Sequence, residues 1–358
     1  VGLLVLGLPL SGQAPPEAEK RPKNVILMIG DGMGISQLSA AYYFRDKKDA
    51  GREPAFDRFR YIGLSKTSSG AEAVTQSAAA ATSLATGYKT YNLAIGVDLD
   101  TVIRPNIVEL LSEKGYLTGV IATSHVVDAT PAGFYAHQPE RYMFHEIAMD
   151  LLKSDIDFFA GGGSRYFMDS TGYYPFEEYG IEMNLKRLKK IKNPEPGERF
   201  GFLLGPERMP TMLHGRKDFL AKASSIAIDF LSTGDAGYFL MVEGSQIDWA
   251  GHVNKSDYMI AEVNDFERTI HEVLDYAEEE GETLVIVTAD HETGGFTLGA
   301  AGDNYNGADY SVIEPTFATS NHSAALVPVF AFGPGAEKFM GIYENTEIFH
   351  NLVSLILE

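Results

Sequence analysis

The chain contains no cysteine and a single tryptophan among its 358 residues. Without cysteine there is no disulfide scaffold, no thiolate zinc finger, no iron–sulfur cluster and no thiol nucleophile. Basic residues are scarce too: 29 Lys and Arg stand against 49 Asp and Glu, a net charge of −20. A nucleic-acid binder needs a basic footprint for the phosphate backbone, so this balance argues against a stable nucleic-acid complex. Long hydrophobic runs are also missing. The apolar stretch at 1–10 is too short to span a bilayer, and no longer one appears later, which predicts a soluble mature chain. Ser11-Gly12-Gln13-Ala14 follows, with small residues at the third and first places before a possible cut after Ala14. Residues 1–14 therefore read as the tail of a secretory signal, and 15–22 as a polar, Pro-rich tether. This predicts a periplasmic or secreted bacterial protein.

What is present is a rhythm. Asn24-Val25-Ile26-Leu27-Met28-Ile29-Gly30 is a continuous apolar run ending in glycine, the pattern of a strand buried on both faces. Comparable runs stand at 119–122, 238–242, 283–288 and 327–331, with helical patterns at 107–114, 144–152, 219–231, 258–280 and 348–357. Strands alternating with helices predict a three-layer α/β/α sandwich on a mostly parallel sheet. One stretch, 161–216, interrupts the rhythm with Tyr, Gly, Pro and Lys, and contains the basic patch 185–190. It reads as an insertion at the sheet edge, serving as a lid, an oligomer contact or an ordinary surface excursion.

Functional groups of such sheets gather past the carboxyl ends of the strands. The first run ends in Gly30-Asp31-Gly32-Met33-Gly34, where glycines let the backbone turn sharply around one carboxylate. The run at 238–242 leads into Glu243, Asp248, Trp249 and His252, and the run at 283–288 into Asp290 and His291. Asn321-His322-Ser323 precedes the last apolar run and must reach the same place differently. Singly these are ordinary turns and satisfied histidines. Together Asp31, Glu243, Asp248, His252, Asp290, His291 and His322 form a carboxylate and imidazole set suited to Zn²⁺, with the harder oxygens suited to Mg²⁺.

Ser77 opens an Ala-rich helical run closed by Gly87. It is either a plain helix cap or a nucleophile whose alkoxide the helix dipole stabilises. Asp128 and Thr130 offer two further hard oxygens after the run at 119–122. Arg141 could clamp a phosphoryl group with a planar pair of donors.

The ordered set Asp31-Gly32-Met33-Gly34, the Ser77 segment, Asp128-Ala129-Thr130-Pro131-Ala132, Glu243…Asp248…His252, Asp290-His291-Glu292-Thr293 and His322-Ser323 resembles the alkaline phosphatases. The likeness runs from about Lys23 to the C-terminus and is strongest to the compact cold-adapted bacterial members. It implies one catalytic domain over 23–358, carrying the insertion 161–216, and a phosphomonoesterase of broad leaving-group range and alkaline optimum. It implies that Ser77 becomes a phosphoserine and that Arg141 clamps two phosphate oxygens. Two Zn²⁺ and one Mg²⁺ per subunit are implied: Asp248, His252 and His322 for one zinc, and Asp31, Asp290 and His291 for the other. The magnesium would be held by Asp31, Thr130 and Glu243, with Asp128 acting through water. Members are usually homodimers.

Three positions depart from the family pattern. Gln76 stands where an Asp usually precedes the nucleophile and helps orient the arginine, so Arg141 is expected to be held less firmly. Trp249 stands where some members carry Lys or His and cannot coordinate metal. Asp128 replaces a His and favours magnesium at the third position. Two other readings remain open at this point. One is a phosphodiesterase or sulfatase on a related fold, although the absent cysteine removes a Cys-derived sulfatase nucleophile. The other is a non-catalytic zinc store, which would need no nucleophilic serine.

Overall fold

The computed structural model describes residues 20–49, 51–188, 197–302 and 307–358. The expected signal segment lies outside the described residues, as do Lys189 and Lys190 of the basic patch.

The first eight strands are β1 (Asn24–Gly30), β2 (Tyr61–Lys66), β3 (Leu117–His125), β4 (Phe158–Gly162), β5 (Ile181–Glu182), β6 (Arg199–Leu203), β7 (Tyr238–Gly244) and β8 (Thr283–Thr288). Next come β9 (Glu292–Thr293), β10 (Phe296–Ala301), β11 (Asp309–Phe317) and β12 (His322–Ser323), and then β13 (Val327–Phe332) and β14 (Gly341–Glu344). Ten of them form the central sheet in the order β14-β2-β13-β8-β1-β7-β3-β4-β6-β5. All neighbours pair in parallel except β13, which runs antiparallel to both β8 and β2.

Strand alternation divides each central strand between two cores. Val25, Leu27 and Ile29 of β1 pack on one side, among the helices Ser77–Thr86, Ile107–Ser112, Phe144–Lys153 and Thr346–Ile356. Ile26 and Met28 face the other side, against the helices Phe219–Leu231 and Ser256–Glu280. Helices therefore cover both faces of a mostly parallel sheet, and the expected three layers are present. The runs at 24–30 and 283–288 coincide with β1 and β8, and the helical pattern at 219–231 with its helix.

The stretch 161–216 continues the sheet in its own plane, because β6 pairs with β4 and β5 with β6. Its last turn then folds back over the long helix. Arg216, 1% exposed at its side chain, pairs with Glu262 and, at 3.0 Å, with Asp265.

Candidate active site

Most of the candidate side chains sit just past the end of a strand of the central sheet. Asp31 follows β1, and Glu243 lies in β7 opposite Ile29 of β1, so the two carboxylates are near neighbours. The turn around Asp31 requires glycine at position 32, whose φ is +73°; a Cβ there would lie 2.8 Å from the Asp248 backbone. The helix Gln246–His252 follows β7 and presents Asp248 and His252 one turn apart. Asp290 and His291 follow β8. The 67–76 segment after β2 delivers Ser77, the first residue of its helix.

The direction of β13 explains how His322 arrives. Because β13 is antiparallel, its first residue lies at the same sheet end as the last residues of β8. The two-residue strand β12 just before it pairs with β9, setting His322 opposite Thr293. Glu292 holds this small hairpin together. Its carboxylate accepts from Gln37 Nε2 at 2.6 Å, from the Phe296 amide at 3.1 Å and from the Ser323 hydroxyl.

Two ligand groups result, and they share His291. Asp31, Asp290 and His291 bring one ligand atom each within 4.8 Å of one another, and so do Asp248, His291 and His322. His291 Nε2 lies 3.0 Å from Asp290 Oδ2, 3.5 Å from Asp31 Oδ1 and 3.3 Å from Ser77 Oγ. The His291 and His322 rings stack at 3.6 Å, and His252 Nε2 lies 3.1 Å from His322 Nε2. The outer nitrogens of the last two are pinned to backbone: His252 Nδ1 to Ser320 O at 2.7 Å, His322 Nδ1 to Thr75 O at 2.8 Å. Their Nε2 atoms are thereby aimed at Asp248 Oδ1, 3.4 and 3.5 Å away.

Thr130 and Asp128 belong to the start of the short helix Ala129–Ala132. The Thr130 hydroxyl lies 3.4 Å from Asp31 Oδ2. Glu243 accepts from the Ser245 hydroxyl at 2.6 Å and from Ser124 at 3.5 Å. Asp128 Oδ1 accepts from the Ala129 amide and from Arg141 Nη2, both at 2.8 Å. This bears on the expectation raised by Gln76. Arg141 is anchored here by Asp128, while the Gln76 amide group leaves its Oε1 buried without a partner. The Trp249 ring is covered by the Arg208 guanidinium at 4.9 Å, so the end of the 161–216 stretch rests on the helix carrying Asp248.

The electrostatics fall into two halves. Burial, reinforced by the charges of Asp290, Asp248, Glu243 and Asp128, raises Asp31 well above the usual carboxylate range. Burial likewise raises Glu243, against its hydrogen bond from Ser245. On the other side burial is outweighed: hydrogen bonds from His252 and His322 hold Asp248 well below that range. His252 is pushed up to about 9, first by its hydrogen bond to Asp248. Asp31 Oδ1 and Asp290 Oδ2 are buried and have no hydrogen-bond partner. Two adjacent carboxylates with orphaned oxygens are unstable without a compensating cation, and the O/N donor set fits a divalent metal.

All eleven side chains singled out in the sequence lie at this one end of the sheet. Sequence reasoning assigned no part to Thr293, Ser245, Ser124 or Glu292, which hold the others in place. The one available signal was positional: Thr293 lies two residues beyond His291 in an extended segment, on the same face.

Comparison with known proteins agrees with this geometry. The family model described as Alkaline phosphatase matches residues 22–181 and 176–311. The chain is 35% identical to Alkaline phosphatase 3 of Bacillus subtilis (strain 168), over 92% of this chain and 88% of that protein. The alkaline phosphatase structure from the Antarctic bacterium TAB5 is 48% identical, covers 95% of this chain and 99% of its own, and superposes with a TM-score of 0.87. A histidine-to-aspartate variant of that enzyme, at 47% identity, the same coverage and the same TM-score, has Mg bound in the M3 site. The cold-active alkaline phosphatase of Shewanella sp. is 32% identical over 93% of this chain and 99% of its own, with a TM-score of 0.82. Sequence match, fold and the order of the strand-end residues therefore converge, and the chain belongs to the alkaline phosphatase family and is an enzyme of it.

Proposed function

We propose that the chain hydrolyses phosphate monoesters to alcohol and inorganic phosphate through a phosphoserine at Ser77, with two Zn²⁺ and one Mg²⁺ in the site. The observation that carries this reading is the pair of orphaned oxygens, Asp31 Oδ1 and Asp290 Oδ2, beside a histidine whose Nε2 also faces the Ser77 hydroxyl. Asp248, His252 and His322 would hold one zinc, and Asp31, Asp290 and His291 the other. Asp31, Thr130 and Glu243 would hold magnesium, with Asp128 contributing through water. When bound, the ions supply positive charge that favours the serine alkoxide and neutralises the phosphoryl oxygens.

The rest follows from the chain's own residues. Ser77 begins a ten-residue helix, where free amides and the dipole favour an anion. Its Oγ bonds to phosphorus as the ester oxygen leaves and takes up a proton. Water then displaces Ser77 and releases phosphate. Arg141, held by Asp128, offers its remaining donors to the phosphoryl oxygens. A monoester dianion suits this many cations better than a diester does.

Three further readings belong with this proposal: a homodimer, a periplasmic or secreted location, and no stable nucleic-acid complex. Among the described residues no helix is long and apolar enough to cross a membrane. The experiment is a phosphatase assay across pH with bound metal measured alongside, comparing nitrophenyl phosphate with bis-nitrophenyl phosphate. Metal-dependent turnover that prefers the monoester supports the reading; preference for the diester overturns it.

A further inference from the structure

The two candidate metal groups are joined by one buried hydroxyl. Thr293 has no exposed surface, and its Oγ1 lies 2.5 Å from Asp248 Oδ1 and 3.2 Å from His291 Nδ1. A hydroxyl has one proton, and a carboxylate can only accept. The shorter contact has the length of an O–H···O⁻ bond, so the proton goes to Asp248. The Thr293 oxygen is then left to accept the Nδ1 proton of His291. This leaves the His291 lone pair on Nε2, the nitrogen that faces Asp31, Asp290 and Ser77.

The threonine is also wedged between the segments that carry the ligands. A Cβ at Gly32, the residue after Asp31, would lie 2.8 Å from Thr293 Oγ1. A Cβ at Gly251, the residue before His252, would lie 2.8 Å from its Cγ2 methyl. Its amide donates to Gly32 O at 3.2 Å, and across the small hairpin it pairs with His322. Threonine at this position thus touches the segments of Asp31, Asp248, His252, His291 and His322.

We propose that Thr293 is the positioning residue that couples the two metal positions, holding Asp248 and His291 through one hydroxyl so that both ligand groups are set together. The metal part of this inference rests on the proposed function above; the hydrogen-bond part does not. Groups that orient metal ligands typically change affinity by about 10–100-fold when removed.

The test uses Thr293→Val, which keeps the shape and removes the hydroxyl, and Thr293→Ser, which keeps the hydroxyl. In metal-free full-length protein at neutral pH, ¹⁵N NMR of the imidazoles should place the His291 proton on Nδ1. A proton on Nε2 with none on Nδ1 overturns the bridge whatever the metal chemistry. Zinc titration against a competing chelator should show both binding constants of Thr293→Val weakened by about 10–100-fold, with Thr293→Ser restoring them. Unchanged constants in Thr293→Val, or loss at one position alone, overturn the coupling. If the unaltered protein takes up no zinc, the coupling and the proposed metal chemistry fall together, while the tautomer result still reports on the bridge. Thermal unfolding of the metal-free variants provides the folding control, and the imidazole spectrum of the unaltered chain carries the test if Thr293→Val does not fold.

Discussion

Arg141 donates through Nη2 to Oδ1 of Asp128 at 2.8 Å, so the arginine proposed to clamp phosphate is anchored by a residue that also stands next to the Thr130 segment. Asp128 is in turn held below the ordinary carboxylate range: burial pushes it up, but His125 and Arg141 outweigh that. Asp128→Asn, assayed at saturating magnesium, should raise the inhibition constant for inorganic phosphate by about tenfold, the scale of one charge-assisted hydrogen bond. Gln76→Asp should act in the opposite direction, by restoring the carboxylate that usually precedes the nucleophile in the family. An unchanged phosphate constant in both variants would contradict the anchoring role.

Magnesium is expected to matter separately from zinc. Glu243, Asp31 and Thr130 offer oxygen, with Asp128 close by, and hard oxygen donors favour Mg²⁺. After chelation, zinc alone should restore part of the activity and added Mg²⁺ the remainder. Full recovery with zinc alone would count against an oxygen-rich third position. Chelation should also lower the melting temperature, because Asp31 and Asp290 then face each other with orphaned oxygens.

The chemistry of this site was more legible in the sequence than its geometry. Buried strands such as β1 and β8 announce themselves as unbroken apolar runs, and Asp31, Asp290 and His291 follow directly from where those runs end. The last two strands on one side of the sheet were not legible. β2 and β14 are only partly buried, so Tyr61-Ile62-Gly63-Leu64-Ser65-Lys66 and Gly341-Ile342-Tyr343-Glu344 lack the continuous apolar signal. The antiparallel direction of β13 was also hidden, because a buried run looks the same in either direction. That direction is what brings His322 to the site. Long-range contacts such as Asp128 with Arg141, or Thr293 with Asp248, depend on side-chain placement that no local pattern encodes.

His137 supplies a pH dependence away from the metal ligands. Its Nδ1 lies 2.8 Å from Gly96 O and its Nε2 3.0 Å from Glu109 Oε1. Both partners accept, so both nitrogens need protons and the imidazolium is favoured. Burial lowers its pKa, but the bonds to Glu109 and Gly96 and the charges of Glu109 and Asp150 raise it above the ordinary histidine value. With the folded value raised, this stabilisation is complete below the unfolded histidine value and is lost as pH rises through the folded one. His137→Asn should therefore be less stable than the parent chain in urea near pH 6, with the gap closing at alkaline pH. A gap that widens with pH would reverse the sign and contradict the assignment.

Arg216 closes the 161–216 stretch onto the long helix through Glu262 and Asp265. Removing one member of a buried ion cluster leaves the others uncompensated, at a cost of about 3–5 kcal/mol. Arg216→Met should show that loss in urea unfolding. A change below about 1 kcal/mol, the scale of a surface pair, would mean that the cluster is relaxed by water or by protonation of its acids.

Ser77, placed 3.3 Å from His291 Nε2, is proposed to carry the phosphoryl group. The most direct test is Ser77→Ala assayed on nitrophenyl phosphate, with zinc and magnesium content measured on the same samples. Metal content should equal that of the unaltered enzyme, and turnover should fall by about 10³-fold or more. Turnover within about tenfold of the unaltered enzyme at full metal occupancy, a difference of only about 1.4 kcal/mol in barrier, would contradict it.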